Sequence, residues 1–76
     1  MKPVPFLCKK DHITLGRFLK AINAVQSGGE VKTLLYIGAV MVNDVMETKR
    51  GRKLYNGDIV SILEKEWVIV AENPPE

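Results

Sequence analysis

The sequence predicts an α+β fold in which two short helices pack on a small, mostly antiparallel sheet of four to five strands. Three observations lead to this prediction. Apolar residues follow a helical period between residues 14 and 25, a serine and a glutamate mark the start of a second helix at Ser27, and strand-like runs flank an Asn-Asp pair at 43–44. Helical and strand segments together in one short chain indicate the α+β class.

The beginning of the chain predicts a short extended or edge segment, followed by the first helix. Pro3 and Pro5 interrupt the apolar residues of this segment, and proline lacks the amide donor that a central strand requires. From Thr14 onwards the apolar residues recur every three or four positions. This spacing predicts an amphipathic helix over 15–24, with Thr14 as its N-cap.

The second helix is predicted to begin after Ser27 and to end at Gly38. Ser27 and Glu30 form a capping box, in which both side chains accept hydrogen bonds from free amides of the first turn. Gly38 follows the apolar stripe and suits the left-handed residue that ends many helices. Gly28 and Gly29 are poor helix formers, costing about 1 kcal/mol each in a helix interior relative to alanine. Their presence indicates a role other than helix formation.

The rest of the chain predicts strands. Runs over 39–42 and 45–48 surround Asn43-Asp44, a pair whose side chains tolerate the positive φ of a tight hairpin turn. A second turn is predicted at 56–58, before two further strands over 59–63 and 67–70.

The chain is predicted to be one domain over residues 1–76, with a core motif at about 14–62 and a flexible tail at 71–76. A chain of 76 residues is too short to supply two separate cores. No apolar run approaches the roughly 20 residues of a membrane-spanning helix, and the beginning does not resemble a signal peptide. We therefore expect a cytoplasmic monomer without a membrane partner.

The sequence shows no motif of an enzyme, such as a nucleophile with its base, a carboxylate pair or a phosphate loop. One cysteine and one histidine cannot form a metal cluster or an internal disulfide, and we expect no metal or cofactor. Asp11 and His12 are neighbours, but a solvated loop histidine is the favoured interpretation. Lysines follow Cys8 and would favour a reactive thiol, yet a small apolar residue in an edge segment fits better.

Basic residues are concentrated in the first part of the chain. The net charge is only +2, yet residues 1–53 carry ten of the eleven Lys and Arg residues against four acids, and residues 54–76 carry one against five. On the second helix Gly29, Lys32 and Tyr36 share the outward face. On the first helix Arg17 and Lys20 are neighbours on the outward face.

The loop over residues 49–53 carries the strongest signal for a polyanion. It contains four cations in five residues, which repel one another unless an anion neutralises them: Lys49, Arg50, Arg52 and Lys53. Gly28 and Gly29 leave the amides at the start of the second helix open to a phosphate. If the two helices pack side by side, these features form one basic surface that follows a phosphate backbone.

The order of elements over residues 14–62 resembles the S-four RNA-binding domain, which is named after small-subunit ribosomal protein four. The matching stretches are TLGRFLKAINAV, SGGEVKTLLYIGAVMVND and LYNGDIVSI, which together cover about two-thirds of the chain. Such domains carry an αL motif, two short helices followed by a hairpin, with RNA against the helices and adjoining loops. The stretches LGRFLK and SGGEVK are similar to the small stand-alone bacterial members of the YaaA and YbcJ kind.

The resemblance implies a non-enzymatic protein that binds structured RNA, ribosomal or transfer RNA, through shape and phosphate contacts more than base reading. It implies that Gly28 and Gly29 let the RNA backbone approach closely and that Lys32 contacts a phosphate. The full set of expected RNA-binding residues, with Tyr36 as a stacking partner, is Arg17, Lys20, Gly28, Gly29, Lys32, Tyr36, Lys49, Arg50, Arg52 and Lys53.

Two alternatives remain open at this point. Met41, Met46 and Trp67 could present an apolar surface to a protein partner, which would make the chain a protein interaction module. The chain could also be the RNA-binding partner of a separately encoded RNA-modifying enzyme. DNA is a less favoured ligand than RNA, although phosphate contacts alone do not distinguish the two.

Overall fold

The computed structural model describes residues 2–72 and contains two helices and seven strands. The elements in chain order are β1 (Val4–Cys8), β2 (His12–Thr14), α1 (Leu15–Ala21), α2 (Gly28–Tyr36), β3 (Val40–Val42), β4 (Val45–Met46), β5 (Lys53–Tyr55), β6 (Ile59–Ile62) and β7 (Lys65–Ala71). Five strands form one sheet in the order β1-β7-β6-β3-β4, and β2 pairs with β5 in a separate two-stranded ribbon. Only the β1–β7 pair is parallel among these described strands. The predicted α+β fold with a mostly antiparallel sheet is confirmed.

The predicted edge segment is β1, which forms one edge of the large sheet. Pro5 is tolerated there because an edge strand has unpaired backbone groups on one side. The parallel pairing with β7 extends to Ala71, and the amide of Glu72 donates to the carbonyl oxygen of Cys8 at 2.8 Å. The tail expected to be flexible from residue 71 thus begins inside β7, and its residues 73–76 lie outside the described part.

Aromatic contacts join α1 to the large sheet. Phe18 of α1 is fully buried, and its ring meets Phe6 of β1 and Trp67 of β7 edge to face, with centroids 5.0 and 6.0 Å apart. This edge-to-face geometry suits the charge distribution of aromatic rings. The strands present alternate residues to the same core, as in the buried Val40 and Val42 of β3. None of the helices within residues 2–72 has the length and apolar character to cross a membrane.

The first helix is shorter than its periodicity predicts. It ends at Ala21 and not at residue 24, because Asn23 adopts a left-handed conformation with φ of 61°. The amides of Asn23 and Ala24 then donate to the carbonyl oxygens of Lys20 and Leu19 at 3.1 and 3.0 Å, the pattern of a Schellman motif. The apolar period continues beyond the helix because Ile22 and Val25 still pack on the core.

The second helix has the predicted start and end. The hydroxyl of Ser27 accepts a hydrogen bond from the amide of Glu30 at 3.3 Å, which confirms the serine half of the capping box. Gly38 has a φ of 75°, and the amide of Ala39 donates to the carbonyl oxygen of Leu34 at 3.4 Å. This second Schellman motif turns the chain into the hairpin of β3 and β4.

The predicted hairpin and second turn are also present. Asn43 and Asp44 both have positive φ, of 52° and 67°, as a two-residue type I′ turn requires. The strands on either side are shorter than predicted, at Val40–Val42 and Val45–Met46. At the second turn Gly57 has a φ of 92°, and the amide of Asp58 donates to the carbonyl oxygen of Tyr55.

The loop before β5 is fixed to the start of α1 through backbone hydrogen bonds. The amides of Leu15 and Gly16 donate to the carbonyl oxygens of Arg52 and Arg50 at 2.8 and 2.9 Å. Thr14 is the N-cap residue as predicted, but its side chain makes no capping hydrogen bond because the loop carbonyls already satisfy two free donors of the helix. A Cβ atom on Gly16 would lie 3.4 Å from the Arg50 carbonyl oxygen, which is van der Waals contact.

Glu47 holds the same loop from the other end. One carboxylate oxygen accepts from Arg52 Nη1 at 2.9 Å, and the other accepts from the amides of Thr48 and Lys49 at 3.0 and 3.1 Å. The hydrogen bond from Arg52 and the bonds from these amides lower the pKa of Glu47 below its ordinary value of 4.5. The charged form of Glu47 therefore stabilises the loop.

Replacement of Gly38 by alanine tests whether the positive φ at the end of α2 requires glycine. We expect the Gly38→Ala variant to lose at least about 1–2 kcal/mol of unfolding free energy, because a residue with a Cβ is disfavoured at positive φ. The new Cβ would also lie 2.9 Å from Met46 Sδ. The measurement is urea unfolding followed by circular dichroism. The matched control is Gly51→Ala, whose Cβ would meet nothing within 4 Å, and an equal loss in the two variants would refute the explanation.

The pH dependence of the unfolding free energy tests whether the charged Glu47 carboxylate stabilises the loop. Because folding lowers the pKa of Glu47, its contribution is present above pH 4.5 and is lost as the pH falls through the folded-state value. We expect Glu47→Gln to lower the unfolding free energy by about 1 kcal/mol or less at pH 7, since Arg52 is partly exposed. The difference should become smaller as the pH falls below 4.5 towards pH 3.

Denaturant unfolding of wild type and variant at both pH values measures this difference. In an Arg52→Ala background, the effect of Glu47→Gln at pH 7 should be smaller, because the ion pair is already absent. A difference that is the same at pH 3 and pH 7 would contradict the assigned role of the Glu47 carboxylate.

Candidate nucleic-acid interface

Three depressions adjoin one another on the surface, and their volumes are about 410 Å³ for the first, 310 Å³ for the middle one and 520 Å³ for the third. The first and middle depressions share Thr14 and Arg17 as walls, and the middle and third depressions share Arg50 and Gly51. We call this surface the basic track. Its cations are Lys9, Lys10, Arg17, Lys20, Lys32, Lys49 and Arg50. No acidic residue within 2–72 lines any of the three depressions.

The middle depression brings the two helices and the loop together. Helix α1 contributes Arg17 and Lys20, α2 contributes its first residue, Gly28, and the loop contributes Arg50. A Cβ on Gly28 would lie 3.8 Å from Arg50 Nη1, which places the guanidinium at the first turn of α2. The positive end of the helix dipole also lies at this turn, so the site concentrates positive potential.

The third depression lies between α2 and the loop. Lys32 and Tyr36 are four residues apart on α2 and therefore neighbours on its surface, opposite Lys49 and Arg50 of the loop. Leu35 also lines the depression and is itself buried. Tyr36 is 91% exposed, so its ring is available to a ligand.

The first depression adds two lysines that the sequence prediction did not include. Lys9 and Lys10, in the turn between β1 and β2, line it together with Arg17. The Lys-Lys pair is visible in the sequence, and it lies in the basic part of the chain. The position of the Lys9-Lys10 pair beside Arg17 arises only from the fold, because β2 separates the pair from Arg17 along the chain.

Three predicted residues do not line the basic track. Arg52 is half-buried and turned onto Glu47, and Lys53 lies in β5 opposite Thr14 of β2, with its side chain exposed. Gly29 is exposed in the first turn of α2. The four cations predicted as one loop cluster are therefore divided, and only Lys49 and Arg50 face the track.

The cations of the basic track have no acidic partner in the described structure. Within residues 2–72 the salt bridges are those of Arg52 with Glu47, at 2.9 Å, and of His12 with Asp11, at 2.8 Å. Neither includes any of the seven track cations. A surface of unpaired cations beside a helix N-terminus can bind a chain of phosphates.

The sequence neighbours Asp11 and His12 contact each other, whereas Cys8 is not part of this pair. The Asp11 carboxylate does contact the His12 ring, but the thiol of Cys8 is buried and donates to the backbone carbonyl of His12, at 3.3 Å, and not to its ring. Over residues 2–72 no cluster of three or more histidine, cysteine or acidic side chains could hold a metal ion.

Two of the three apolar residues proposed for a protein interface, Met41 and Trp67, line one depression. Met41 and Met46 are cross-strand neighbours and are 38% and 60% exposed. Trp67 is partly buried and packs against the core at Phe18. Val4 and Leu63 also line the depression that Met41 and Trp67 share, and they are 57% and 79% exposed.

Three acidic residues line another depression, which has a volume of about 550 Å³. Its charged residues are Asp44 of the β3–β4 turn, Glu64 of the β6–β7 turn, Lys65 and Glu66 of β7, and Lys2. None of these residues lines the basic track.

Comparisons with known proteins agree with the fold and with the resemblance. The family model of the S4 domain, the S-four family, matches residues 6–70. The probable ribosome maturation protein RlbA of Bacillus subtilis (strain 168) is 48% identical to this chain over 58 residues, which make up 76% of this chain and 82% of that protein. The family match includes the hairpin, both helices and the loop that carries Lys49 and Arg50, and the chain belongs to the S4 domain family.

Proposed function

We propose that this chain is a cytoplasmic, monomeric, non-enzymatic RNA-binding protein that contacts structured RNA through the basic track. Ribosomal RNA is the favoured ligand and transfer RNA the next. The observation that carries the proposal is the arrangement of seven cations along three adjoining depressions without an acidic residue among their described walls. Such a surface attracts a polyanion and follows its backbone.

The middle depression provides a place for one RNA phosphate. The Arg50 guanidinium lies beside the first turn of α2, where a cation is repelled by the positive end of the helix dipole. A phosphate bound between them would accept hydrogen bonds from both the guanidinium and the helix amides. Arg17 and Lys20 on α1 would contact the neighbouring phosphates along the strand.

The relative supports a ribosomal ligand. RlbA is named as a probable ribosome maturation protein, and ribosomes are built largely of folded RNA. A small protein that reads the shape and phosphates of such RNA could bind an assembling subunit without chemistry of its own. Arg52 and Lys53 then contribute outside the track, Arg52 by holding the loop and Lys53 from the exposed side of the ribbon.

A salt titration tests the proposal directly. The double variant Arg17→Ala, Arg50→Ala should bind a structured ribosomal RNA fragment about tenfold or more weakly than wild type. The slope of log affinity against log salt should become shallower by about 0.7 to 0.9 for each phosphate that the variant no longer neutralises. Fluorescence anisotropy with the labelled RNA measures both quantities.

The double variant Lys2→Ala, Lys65→Ala is the matched control. It also removes two positive charges, but both residues line the depression with Asp44, Glu64 and Glu66. We expect nearly wild-type affinity and an unchanged slope. Equal weakening in the two double variants would show that only the net charge matters and would overturn the basic track as the site.

A DNA duplex of equal length separates RNA binding from general polyanion binding. RNA should bind more tightly, because only RNA presents the 2′-hydroxyl groups and wide minor groove of the A-form helix. Failure of the wild-type protein to bind either nucleic acid at about 150 mM salt, near physiological ionic strength, would refute the proposed function and direct attention to a protein partner.

A further inference from the structure

We propose that the third depression of the basic track is a base-binding site, which takes an unpaired RNA base and stacks it on Tyr36. This inference rests on the proposed function and specifies its ligand as a folded RNA with an extruded base beside the contacted strand. Phosphate contacts alone would not require such a base. Three features of the molecule support a base-binding site: the exposure of Tyr36, the composition of the depression and the spacing of its cations.

Tyr36 is an aromatic side chain with no structural role visible in its surroundings. It is 91% exposed at the end of α2, whereas the buried Leu35 beside it packs in the core. The other tyrosine, Tyr55, is 40% exposed and its ring lies 5.7 Å from that of His12. A solvent-exposed aromatic ring on a nucleic-acid surface provides a platform on which any base can stack.

The depression beside Tyr36 has the size and walls of a small-ligand site. Its volume of about 520 Å³ falls within the range of roughly 300–1,000 Å³ that is typical of such sites. The Tyr36 ring provides an apolar surface on the α2 side, where Leu35 is only 3% exposed, and Thr48 and Gly51 line the loop side. A flat, partly apolar base could therefore enter between the helix and the loop while leaving its edges in water.

Cations surround the depression where the phosphates next to an extruded base would lie. Lys32 is one helical turn from Tyr36, and Lys49 and Arg50 are on the loop across from it. Arg50 also lines the middle depression, which is the proposed phosphate site. The RNA strand could thus pass from the middle depression to the third one without leaving the cations.

The hydrogen bonds of Glu47 and Gly16 fix the loop side of this site. Glu47 accepts from the amides of Thr48 and Lys49, and the carbonyl of Arg50 accepts from Gly16 of α1. The loop is therefore held both by α1 and by the Glu47 side chain. The width of the depression is then set before RNA binds. A preformed site avoids the free-energy cost of ordering the loop on binding.

Three RNA hairpins with the same stem provide the test. The first has a fully paired stem, the second has a single bulged 2-aminopurine, and the third has an abasic nucleotide at the bulge. The second and third carry equal numbers of phosphates, so their difference reports the base alone. Wild-type protein should bind the bulged base about fivefold to 100-fold more tightly than the abasic bulge, and should quench the 2-aminopurine fluorescence.

The variants assign this preference to Tyr36. Tyr36→Ala should abolish the preference and the quenching while leaving the salt slope unchanged, since it removes no charge. Tyr36→Phe should keep both, because it retains the aromatic face. Tyr55→Ala is the matched control, removing a tyrosine outside the depression, and should behave like wild type.

The outcomes separate this inference from the proposed function. Equal, salt-dependent binding of the bulged and abasic hairpins by wild type would overturn the base-binding site and leave the phosphate-binding function intact. A preference that survives in Tyr36→Ala would also overturn it. Absence of binding to all three hairpins and to the ribosomal RNA fragment would refute the proposed function, and with it this inference.

Discussion

The docking of the loop backbone onto the start of α1 is the constraint on which the proposed RNA-binding surface depends. Two carbonyl oxygens of the loop replace the side-chain cap that a helix N-terminus ordinarily needs. This contact joins the start of α1 to the segment that leads into β5. It also places Arg50 between the two helices, so that local helix chemistry and the position of a cation of the basic track have the same cause.

The cations of one short segment differ in their partners. Arg52 is engaged by Glu47 and helps to set the shape of the loop, whereas its neighbours Lys49 and Arg50 remain without an acidic partner in the described structure. Like charges that are held close together destabilise a free protein. A loop that is fixed by one ion pair and by backbone bonds can keep its other cations exposed, which is the arrangement that a polyanion requires.

Most of the fold could be predicted from the sequence because its signals are local. The cap at Ser27, the left-handed Gly38 and the Asn43-Asp44 turn depend on residues that are neighbours in the chain. The β2–β5 ribbon could not be predicted, since its strands are short and are stabilised by pairing between residues far apart in the chain. The same is true of the site, where periodicity predicts the cations of the helices but only the fold places Lys9 and Lys10 beside Arg17.

The clustering of cations along the basic track has a kinetic consequence. Seven cations around depressions without an acidic residue among their described walls make the charge distribution uneven, and the field of a polyanion exerts a torque on such a molecule before contact. If the chain binds RNA as proposed, it would approach the RNA with the basic track forward. A larger fraction of collisions would then lead to a complex, and association would be faster than for a protein of the same net charge spread evenly over its surface.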